Sequence, residues 1–319
     1  MVDERTFEAA YLALHRSGEL EERVRSAYDH LHRCDLCGRD CGVDRSAESP
    51  EEWGSCNTGM RAKVASYGPH FGEEDPLRGT QGSGTIFFAW CNLSCQYCQN
   101  YDISQRGHGR EVEPEELAQM MLSLQEQGCH NVNLVSPTHA TPPILEAVMI
   151  GAEAGLHLPL VWNTGGYDSL ATLALLDGLV DIYMPDMKYA DAEIGLKYSK
   201  VKRYPEVNQA AVKEMHRQVG DLVMDERGIA KRGLLVRHLV LPEGLAGTAK
   251  VAQFLAEEVS RDTYVNIMDQ YRPSYKAGDL PPLGRRVTRE EFEKAKNQAR
   301  KAGLHRFDKR EPRFLHIFR

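Results

Sequence analysis

The sequence has no apolar run that approaches the length of a membrane-spanning helix, about 20 residues, and its hydrophobic content of 42% is ordinary for a globular protein. The start, MVDERTFEAAYLALHRSGELEERVRS, mixes charged and apolar side chains and lacks the apolar core of a signal peptide. These absences argue against a membrane protein, and we expect a cytoplasmic one. Thiols stay reduced in the cytoplasm, so clustered cysteines there usually bind metal rather than form disulfides.

Positive charge is also in deficit. The chain has 39 Lys and Arg residues against 46 Asp and Glu residues, which gives a formal net charge of −7. Proteins that bind nucleic acid broadly carry an excess of basic residues on the binding face. The charge balance therefore argues against that class, although a local basic groove stays compatible with it. The length of 319 residues allows one large domain or two small ones.

Cysteine is scarce, with eight residues in the chain, but seven of them lie in two short groups. The segment CDLCGRDCGVDRSAESPEEWGSC holds the first group, Cys34, Cys37, Cys41 and Cys56. The segment CNLSCQYC holds the second group, Cys91, Cys95 and Cys98, and Cys129 stands alone. The expected compartment and the odd number of clustered cysteines both disfavour a disulfide framework.

The second group follows a predicted buried strand, GTIFFAW (84–90). Three thiolates on a short loop suit a cubane iron–sulfur cluster in which one iron has no protein ligand. A zinc site completed by a distant histidine is the alternative, but the C-x3-C-x2-C spacing is unusual for zinc, which favours C-x2-C pairs. An iron without a protein ligand is free to bind a small molecule.

After residue 83, buried-strand patterns alternate with helical patterns six times. The predicted strands are residues 84–90, 130–136, 158–164, 180–187, 233–241 and 263–269. The predicted helices are residues 113–128, 142–155, 169–176, 205–220, 248–260 and 288–303. Six such units predict an α/β fold with a parallel sheet and crossover helices. Residues 223–233 predict a short hairpin before the fifth strand.

The chain therefore divides into four parts. These are N-terminal helices (1–33), a four-cysteine metal-binding segment with a linker (34–82), the strand–helix repeat (83–303) and a C-terminal tail (304–319). Apolar residues recur every three or four positions before the first cysteine, which predicts two short helices. We expect these helices to pack on the open side of the sheet.

In parallel barrels, chemistry takes place on the loops at the carboxyl ends of the strands. Cys91 directly follows the first predicted strand. Carboxylates and amides suit sugar hydroxyls, and a lysine suits a carboxylate. The polar candidates near the ends of the second, third and fourth strands are Ser136, His139, Asn163, Asp186 and Lys188. A helix cap for Asp186 and a solvated side chain for Lys188 are the alternatives without function. Arg237 and His238 lie near the middle of the fifth strand.

The pattern C-x3-C-x-aromatic-C after a first strand resembles the signature of the radical S-adenosylmethionine (SAM) enzymes. This resemblance implies a partial (β/α)6 TIM-type barrel, here with a cysteine-rich N-terminal extension. It implies that Cys91, Cys95 and Cys98 hold a [4Fe–4S] cluster whose fourth iron binds the amino and carboxylate groups of SAM. One electron from the cluster then cleaves SAM to a 5′-deoxyadenosyl radical, which abstracts hydrogen from the substrate. Tyr97, the aromatic residue of the motif, is implied to lie at the cosubstrate.

A narrower resemblance is to the group similar to pyruvate formate-lyase activating enzymes. It rests on the cysteine loop and on NVNLVSPTHATP, LVWNTGGYD, DIYMPDMKY and HLVLP. Activating enzymes have Gly-Gly-Glu after the second strand, which helps to hold the SAM amino group. This chain has SPTH there, so Ser136, Thr138, His139 or backbone carbonyls take that role. WNTGG and PDMK match the family's later motifs, which implies that Asn163, Asp186 and Lys188 contact SAM.

The N-terminal group has the pattern C-x2-C-x3-C, followed by a fourth cysteine after fourteen residues. Four thiols suffice for a closed zinc site or for a complete [4Fe–4S] cluster. Their spacing leaves both metals open. Activating enzymes with extra clusters carry them after the radical motif, whereas these four cysteines precede it.

We expect an enzyme that cleaves SAM reductively and abstracts hydrogen, with activation of a glycyl radical enzyme as the use that the resemblance suggests. One alternative is radical modification of a small molecule, a peptide or an RNA. Another is a non-catalytic iron–sulfur or zinc-binding scaffold. The expected partners are a protein or small-molecule substrate and an electron donor such as flavodoxin or ferredoxin. A membrane is not expected as a partner, and the net charge disfavours nucleic acid.

Overall fold

The computed structural model describes residues 7–47 and 53–309. Its strands, in chain order, are β1 (Ala62–His70), β2 (Ser83–Phe88), β3 (Arg110–Val112), β4 (Val132–Val135), β5 (Leu160–Thr164), β6 (Ile182–Pro185), β7 (Val223–Met224), β8 (Ala230–Leu239), β9 (Tyr264–Met268) and β10 (Arg306–Phe307). Its α-helices are α1 (Tyr11–Ser17), α2 (Glu19–Asp29), α3 (Asp75–Arg78), α4 (Tyr101–Ser104), α5 (Pro114–Glu126), α6 (Thr141–Glu153), α7 (Leu170–Leu176), α8 (Ala192–Ser199), α9 (Tyr204–Val219), α10 (Thr248–Phe254) and α11 (Arg289–Ala302).

The central sheet confirms the predicted α/β class. Strands β2, β4, β5, β6, β8 and β9 are neighbours in that order, and every adjacent pair is parallel. β1 and β3 extend the sheet antiparallel beyond β2, and β10 extends it parallel beyond β9. Among the described residues β3 and β10 do not pair with each other, so the sheet is an open, partial barrel.

Both faces of the parallel strands are buried. Side chains alternate along a strand, so that one set packs under the helices and the other packs inside the curve of the sheet. Leu160 and Trp162 of β5 point outward into the main core beneath the helices. Val161, between them, packs inside the curve of the sheet against Ile182 of β6 and Leu235 of β8. The sheet therefore encloses an interior, and the carboxyl ends of its parallel strands form one rim.

The two N-terminal helices form as predicted, but the predicted position is wrong. They pack on the outer helices α6 and α7 rather than on the open side of the sheet. The Tyr28 hydroxyl of α2 donates a hydrogen bond to Glu146 of α6 at 2.6 Å, and Arg23 donates to the Leu175 carbonyl of α7 at 3.2 Å. The apolar stripe of α2 packs against the main core, which leaves only its polar face exposed and no apolar face for the open edge of the sheet.

Several elements were not anticipated from the sequence. β1 lies within the segment predicted as a linker, and α8 follows the fourth parallel strand. The hairpin predicted before the fifth strand is confirmed, because β7 pairs antiparallel with β8. Of the predicted C-terminal tail, β10 pairs with β9 and residues 310–319 lie outside the described part, as do residues 1–6 and 48–52. Within the described ranges, every helix is too short or too polar to cross a membrane.

Candidate functional site

The cysteine loop begins just after β2, at the rim of the sheet. Trp90, the residue before Cys91, has a backbone φ of 67°, in the left-handed region that a bulky side chain rarely adopts. Its N–H donates to the Ile103 carbonyl at 3.0 Å. Its ring packs so tightly on Gly107 that a Cβ there would lie 2.2 Å from the ring. These contacts hold a strained turn, which is a common feature of functional sites.

The last residues of α8 anchor the same loop. The backbone N–H of Ser94 donates to the Ser199 carbonyl at 3.0 Å, and that of Gln96 donates to the Tyr198 carbonyl at 2.8 Å. From the other side, the Lys276 N–H donates to the Gln96 carbonyl at 3.0 Å. The loop is thus fixed by main-chain bonds to α8 and to the segment after β9.

The three thiols of the loop lie close enough to affect one another. Burial raises the pKa of the Cys95 thiol to about 12; the Lys188 ammonium opposes this rise, and the nearby Cys98 and Cys91 thiols add to it. Burial likewise raises the pKa of Cys91, with Cys98 and Lys188 again among the groups that act on it. Metal binding favours the deprotonated thiolate. The loop therefore holds three thiols and one cation in a shared, largely buried space.

A serine lies beside each of these thiols. The pairs are Cys95 with Ser199 at 3.0 Å, Cys98 with Ser104 at 3.1 Å, and Cys91 with Ser136, whose hydroxyl lowers the pKa of that thiol. The serines come from three places along the chain: the last residue of α8, the last residue of α4 and the rim after β4. Separate elements therefore converge on the thiols.

Ser136 and Asn163 meet at the rim next to the loop. Ser136 has a φ of 57°, and its N–H donates to the Asn163 carbonyl at 2.8 Å. The Asn163 side chain is buried, and no hydrogen bond within the described chain uses its amide. This amide is a polar group that a ligand at the rim would satisfy.

Asp186 forms the charged centre of the rim. Its carboxylate accepts hydrogen bonds from Lys188 at 2.5 Å and from Arg237 of β8 at 2.9 Å. Burial alone would raise the pKa of Asp186, but the adjacent Arg237 and Lys188 cations outweigh it and lower that pKa. The carboxylate is thus held ionised, and it links β6 to β8.

Helix α9 holds the backbone beneath this carboxylate. The Tyr204 hydroxyl contacts the Gly165 and Asp186 carbonyls at 2.9 and 3.0 Å, and Asn208 donates to the Asp186 and Gly166 carbonyls, both at 2.9 Å. Gly166 has a φ of 71°, and a Cβ there would lie 2.3 Å from the Asp186 carbonyl oxygen. The second glycine of WNTGG is therefore required by the backbone at this point.

The two predicted histidines lie behind the rim. His139 is buried, its Nε2 lies 2.9 Å from the Ala89 carbonyl, and burial lowers its pKa to about 4. A neutral ring there donates to the backbone just ahead of the cysteine loop. His238 is held between the Met187 carbonyl at 2.7 Å and the Thr248 hydroxyl at 2.9 Å, the environment of a satisfied core histidine.

Tyr97 is buried within a second core of tyrosines around the loop. Its hydroxyl lies 2.6 Å from the Tyr189 hydroxyl, and its ring meets the rings of Tyr189 and Tyr271 edge to face. The Tyr189 hydroxyl in turn lies 2.7 Å from the Ser199 hydroxyl. The aromatic residue of the motif is therefore connected by hydroxyl groups to the Cys95 thiol.

The N-terminal cysteines pack beside the same rim. Cys37 forms a β-bridge with Asp168, and the Gly38 N–H donates to the Tyr167 carbonyl at 3.0 Å. Arg39 donates to the carbonyl of Asn92, within the cysteine loop, at 2.6 Å. The segment therefore contacts the cysteine loop directly.

Two of the N-terminal thiols, Cys34 and Cys37, have pKa values shifted in opposite directions. A hydrogen bond from Cys41 lowers the pKa of Cys34 to about 5, with the Arg45 guanidinium contributing. Burial raises the pKa of Cys37 to about 12, with the Cys56 and Cys34 thiols adding to the rise. In residues 7–47 and 53–309, no three Cys, His, Asp or Glu side chains stand at the spacing of ligands around a single metal ion. This holds for the thiols of the cysteine loop as well as for the N-terminal ones, so a metal centre would have to draw the thiols of either group inward. For zinc the sulfurs would lie about 2.3 Å from the metal.

Arg45 joins this group to the barrel. It is only 1% exposed, and its guanidinium contacts the Cys34 sulfur at 3.7 Å. It also donates to the carbonyls of Thr58, Gly59 and His139 at 2.6, 3.1 and 2.5 Å. Because the His139 ring bonds to Ala89, a continuous set of contacts runs from Cys34 to the start of the cysteine loop.

The structure thus brings together the predicted residues Cys91, Cys95, Cys98, Ser136 and Lys188, with Asp186 bonded to Lys188 and Asn163 beside Ser136. Sequence reasoning missed the serines at 104 and 199 and the buried Arg45. The helix that carries Ser199 had a signal, since Asp191 caps it by accepting from the Glu193 and Ile194 N–H groups. Nothing in the sequence indicated that a serine at its end reaches a cysteine a hundred residues earlier.

Comparisons with known proteins identify the family of the chain. The Radical SAM superfamily model matches residues 85–226. Uncharacterized proteins MJ0674 and MJ0808 of Methanocaldococcus jannaschii are 34% and 25% identical, covering 89% and 86% of this chain and 79% and 80% of the relatives. A radical SAM methyltransferase from Sphaerobacter thermophilus, 15% identical, covers 70% of this chain and 66% of its own with a TM-score of 0.49. The chain belongs to the radical SAM superfamily, which implies a [4Fe–4S] cluster and SAM.

Proposed function

We propose that this protein cleaves SAM reductively at a [4Fe–4S] cluster held by Cys91, Cys95 and Cys98. The observation that carries the proposal is the convergence of these three thiols at the carboxyl rim of the sheet. They lie close enough there for Cys98 to raise the pKa of both Cys91 and Cys95. Three thiolates suit a cubane with one iron open to the cosubstrate. When bound, the cluster and SAM supply a 5′-deoxyadenosyl radical for hydrogen abstraction.

The donor set of the rim fits the cosubstrate. Asp186, held ionised by two cations, suits ribose hydroxyls, and Lys188 suits a carboxylate. The unused amide of Asn163 and the Ser136 hydroxyl add hydrogen-bonding groups on the neighbouring strand ends. We assign these four residues to SAM binding. His139 has its ring turned to Ala89, and we assign it to positioning the loop.

The tyrosine core shields the Cys95 side of the site from water. Six tyrosines belong to the core cluster that contains Cys95, and the segment after β9 covers the loop, with Tyr275 stacked on Tyr101 at 5.2 Å. A dry enclosure prevents a reactive radical from being quenched by solvent-borne groups. The protein's own share is to bind, orient and exclude water, because the cofactor supplies the radical chemistry.

The direct test is release of 5′-deoxyadenosine by anaerobically reconstituted protein with dithionite and SAM. Wild-type protein is expected to release it, and Cys95→Ala is expected to fall to the background of the assay. Cys129→Ala is the matched control, because Cys129 lies before β4, at the end of the sheet opposite the rim, and should retain wild-type release. Full iron and sulfide content without any 5′-deoxyadenosine would favour the non-catalytic scaffold instead.

Activation of a glycyl radical enzyme is the finer proposal for the use of the radical. The match of WNTGG and PDMK to activating enzymes supports it. The SPTH stretch departs from Gly-Gly-Glu, and it places a serine beside Cys91. Reaction with a candidate partner should leave a stable carbon-centred radical on that partner, detectable by electron paramagnetic resonance. Modification of a small molecule or peptide would leave the partner diamagnetic.

We propose that the N-terminal cysteines bind a second metal. Cys34 and Cys41 are in contact, and Cys37 lies within electrostatic reach of Cys34 and Cys56. Metal and sulfide analysis of anaerobically purified protein separates the two candidates. About four irons and one zinc would indicate zinc, and about eight irons would indicate a second cluster.

A further inference from the structure

Two of the loop thiols lie beside serine hydroxyls, and the chemistry of the groups fixes the direction of each hydrogen bond. A cluster ligand is a thiolate, which has no proton and can only accept a hydrogen bond. The Ser199 hydroxyl, 3.0 Å from the Cys95 sulfur, must therefore donate to it when the cluster is bound. Ser199 is completely buried, so no water competes for this bond.

This donation fixes the rest of the chain. With its proton directed to Cys95, the Ser199 oxygen accepts from the Tyr189 hydroxyl at 2.7 Å. The Tyr189 oxygen then accepts from the Tyr97 hydroxyl at 2.6 Å. Every hydroxyl proton points toward the sulfur, and a donor that itself accepts a hydrogen bond becomes a stronger donor.

The second thiol has a shorter version of the same arrangement. The Gln105 Nε2 group can only donate, and it lies 3.1 Å from the Ser104 oxygen. The Ser104 proton is thereby left for the Cys98 sulfur at 3.1 Å. Ser104 is only partly buried, so water can substitute for its hydroxyl.

Hydrogen bonds to ligand sulfurs help to set the reduction potential of an iron–sulfur cluster. Reduction adds negative charge, and donors aimed at the thiolates stabilise the more negative state, most strongly where solvent is excluded. We propose that Ser199, supported by Tyr189 and Tyr97, is a positioning residue that raises the reduction potential of this cluster, with Ser104 contributing less. This inference rests on the proposed function, because it assumes the cluster on Cys91, Cys95 and Cys98.

The side-chain contribution can be separated from the structural one. The bond that anchors the loop to α8 uses the Ser199 carbonyl, which Ser199→Ala retains. Tyr189→Phe removes one hydroxyl and keeps the ring. Ser199→Thr restores a hydroxyl. Ser94→Ala is the matched control, since Ser94 lies on the same loop and no hydrogen bond within the described chain uses its hydroxyl.

The test is a potentiometric titration of the anaerobically loaded cluster without SAM, followed by electron paramagnetic resonance. Ser199→Ala is expected to shift the oxidised-to-reduced equilibrium about tenfold toward the oxidised form, ~59 mV for one electron. Tyr189→Phe should shift it severalfold in the same direction and Ser104→Ala less than Ser199→Ala. Ser94→Ala and Ser199→Thr should stay near wild type.

A wild-type potential in fully loaded Ser199→Ala protein overturns the inference while the proposed function stands. If Ser199→Ala binds no cluster, the reduction potential of the Tyr189→Phe variant is the test. An unchanged potential in that variant overturns the inference. A loaded wild-type cluster that never cleaves SAM overturns the proposed function, yet the titration still tests the serine. Absence of any cluster in wild-type protein overturns both.

Discussion

The two groups of cysteines are built differently around their sulfurs. In the loop after β2, each thiol lies beside a serine hydroxyl, and Lys188 is a nearby cation. In the N-terminal segment, Cys34 contacts another thiol and the buried guanidinium of Arg45. In the first group, the serine hydroxyls are neutral hydrogen-bond donors to largely buried thiols, which suits a metal centre that changes charge. The second fixes one thiol firmly to the barrel, which suits a structural tie.

The largest expected effect comes from removing one thiol from each group. Cys95→Ala should lose about four irons and all 5′-deoxyadenosine release, because a cubane needs the three loop thiolates. Cys56→Ala should keep those irons and lose only the metal of the N-terminal group. Metal analysis of both variants checks this. Loss of all the iron in both variants would mean that the two groups share one centre, which would contradict the comparison.

Arg45→Gln should be the most destabilising change that removes no proposed metal ligand. The change leaves buried carbonyls and the Cys34 sulfur with a weaker partner, so the free energy of unfolding should fall by about 3 kcal/mol. Chemical denaturation measures it. Arg16→Gln, which breaks only an exposed pair with Glu8, is the control and should leave the free energy of unfolding nearly unchanged. Equal changes in the free energy of unfolding for the two variants would show that Arg45 does not link the two cysteine groups.

His139 lies between the two cysteine groups, and we expect it to make the free energy of unfolding depend on pH. Its folded-state pKa of about 4 lies below the ordinary histidine value of about 6.5 because the ring is buried. The unfolded chain therefore binds the extra proton first as pH falls from 6.5, and stability decreases until the folded pKa is reached. At pH 4.5 the loss should be about 2 to 3 kcal/mol.

His139→Gln isolates this contribution, because glutamine can still donate to the Ala89 carbonyl and does not titrate. The wild-type free energy of unfolding should fall more steeply between pH 7 and pH 4.5 than that of the variant. Parallel pH curves for the two proteins would show that His139 is not the group that responds.

The smallest expected effect is at the cosubstrate. Asp186→Asn removes the negative charge between Lys188 and Arg237, and the affinity for SAM should weaken about 10- to 100-fold, the usual worth of one hydrogen bond to a charged group. Anaerobic equilibrium binding measures this. Asp177→Asn, at an exposed pair with Arg217, should bind SAM as wild type does. Unchanged affinity in Asp186→Asn would remove this carboxylate from the cosubstrate site.

Local pattern was enough to predict the repeating part of the fold. The six parallel strands are short, mostly apolar segments such as LPLVWNT, and they alternate with segments of helical spacing, so period and length identify them. β1 was missed because its sequence, AKVASYGPH, contains glycine and proline and lacks a clear alternation. Its strand conformation comes from pairing with β2, a long-range effect that local propensity does not report.

The site was predictable where a residue acts through its place in a motif. Cys91, Cys95 and Cys98 are fixed by spacing, and Asp186 and Lys188 by their position after a strand. The partners Ser199 and Arg45 could not be found in this way, because their roles depend on which elements meet in space. His139 shows the same limit, since the loop that carries it reaches the rim but its ring turns to Ala89.

The most direct test of the open iron uses a variant in which Cys34, Cys37, Cys41 and Cys56 are all alanine. Loaded anaerobically and reduced, it should retain about four irons. Its electron paramagnetic resonance spectrum should change when SAM is added. A spectrum that stays the same at saturating SAM, with the irons present, would contradict the account at its centre.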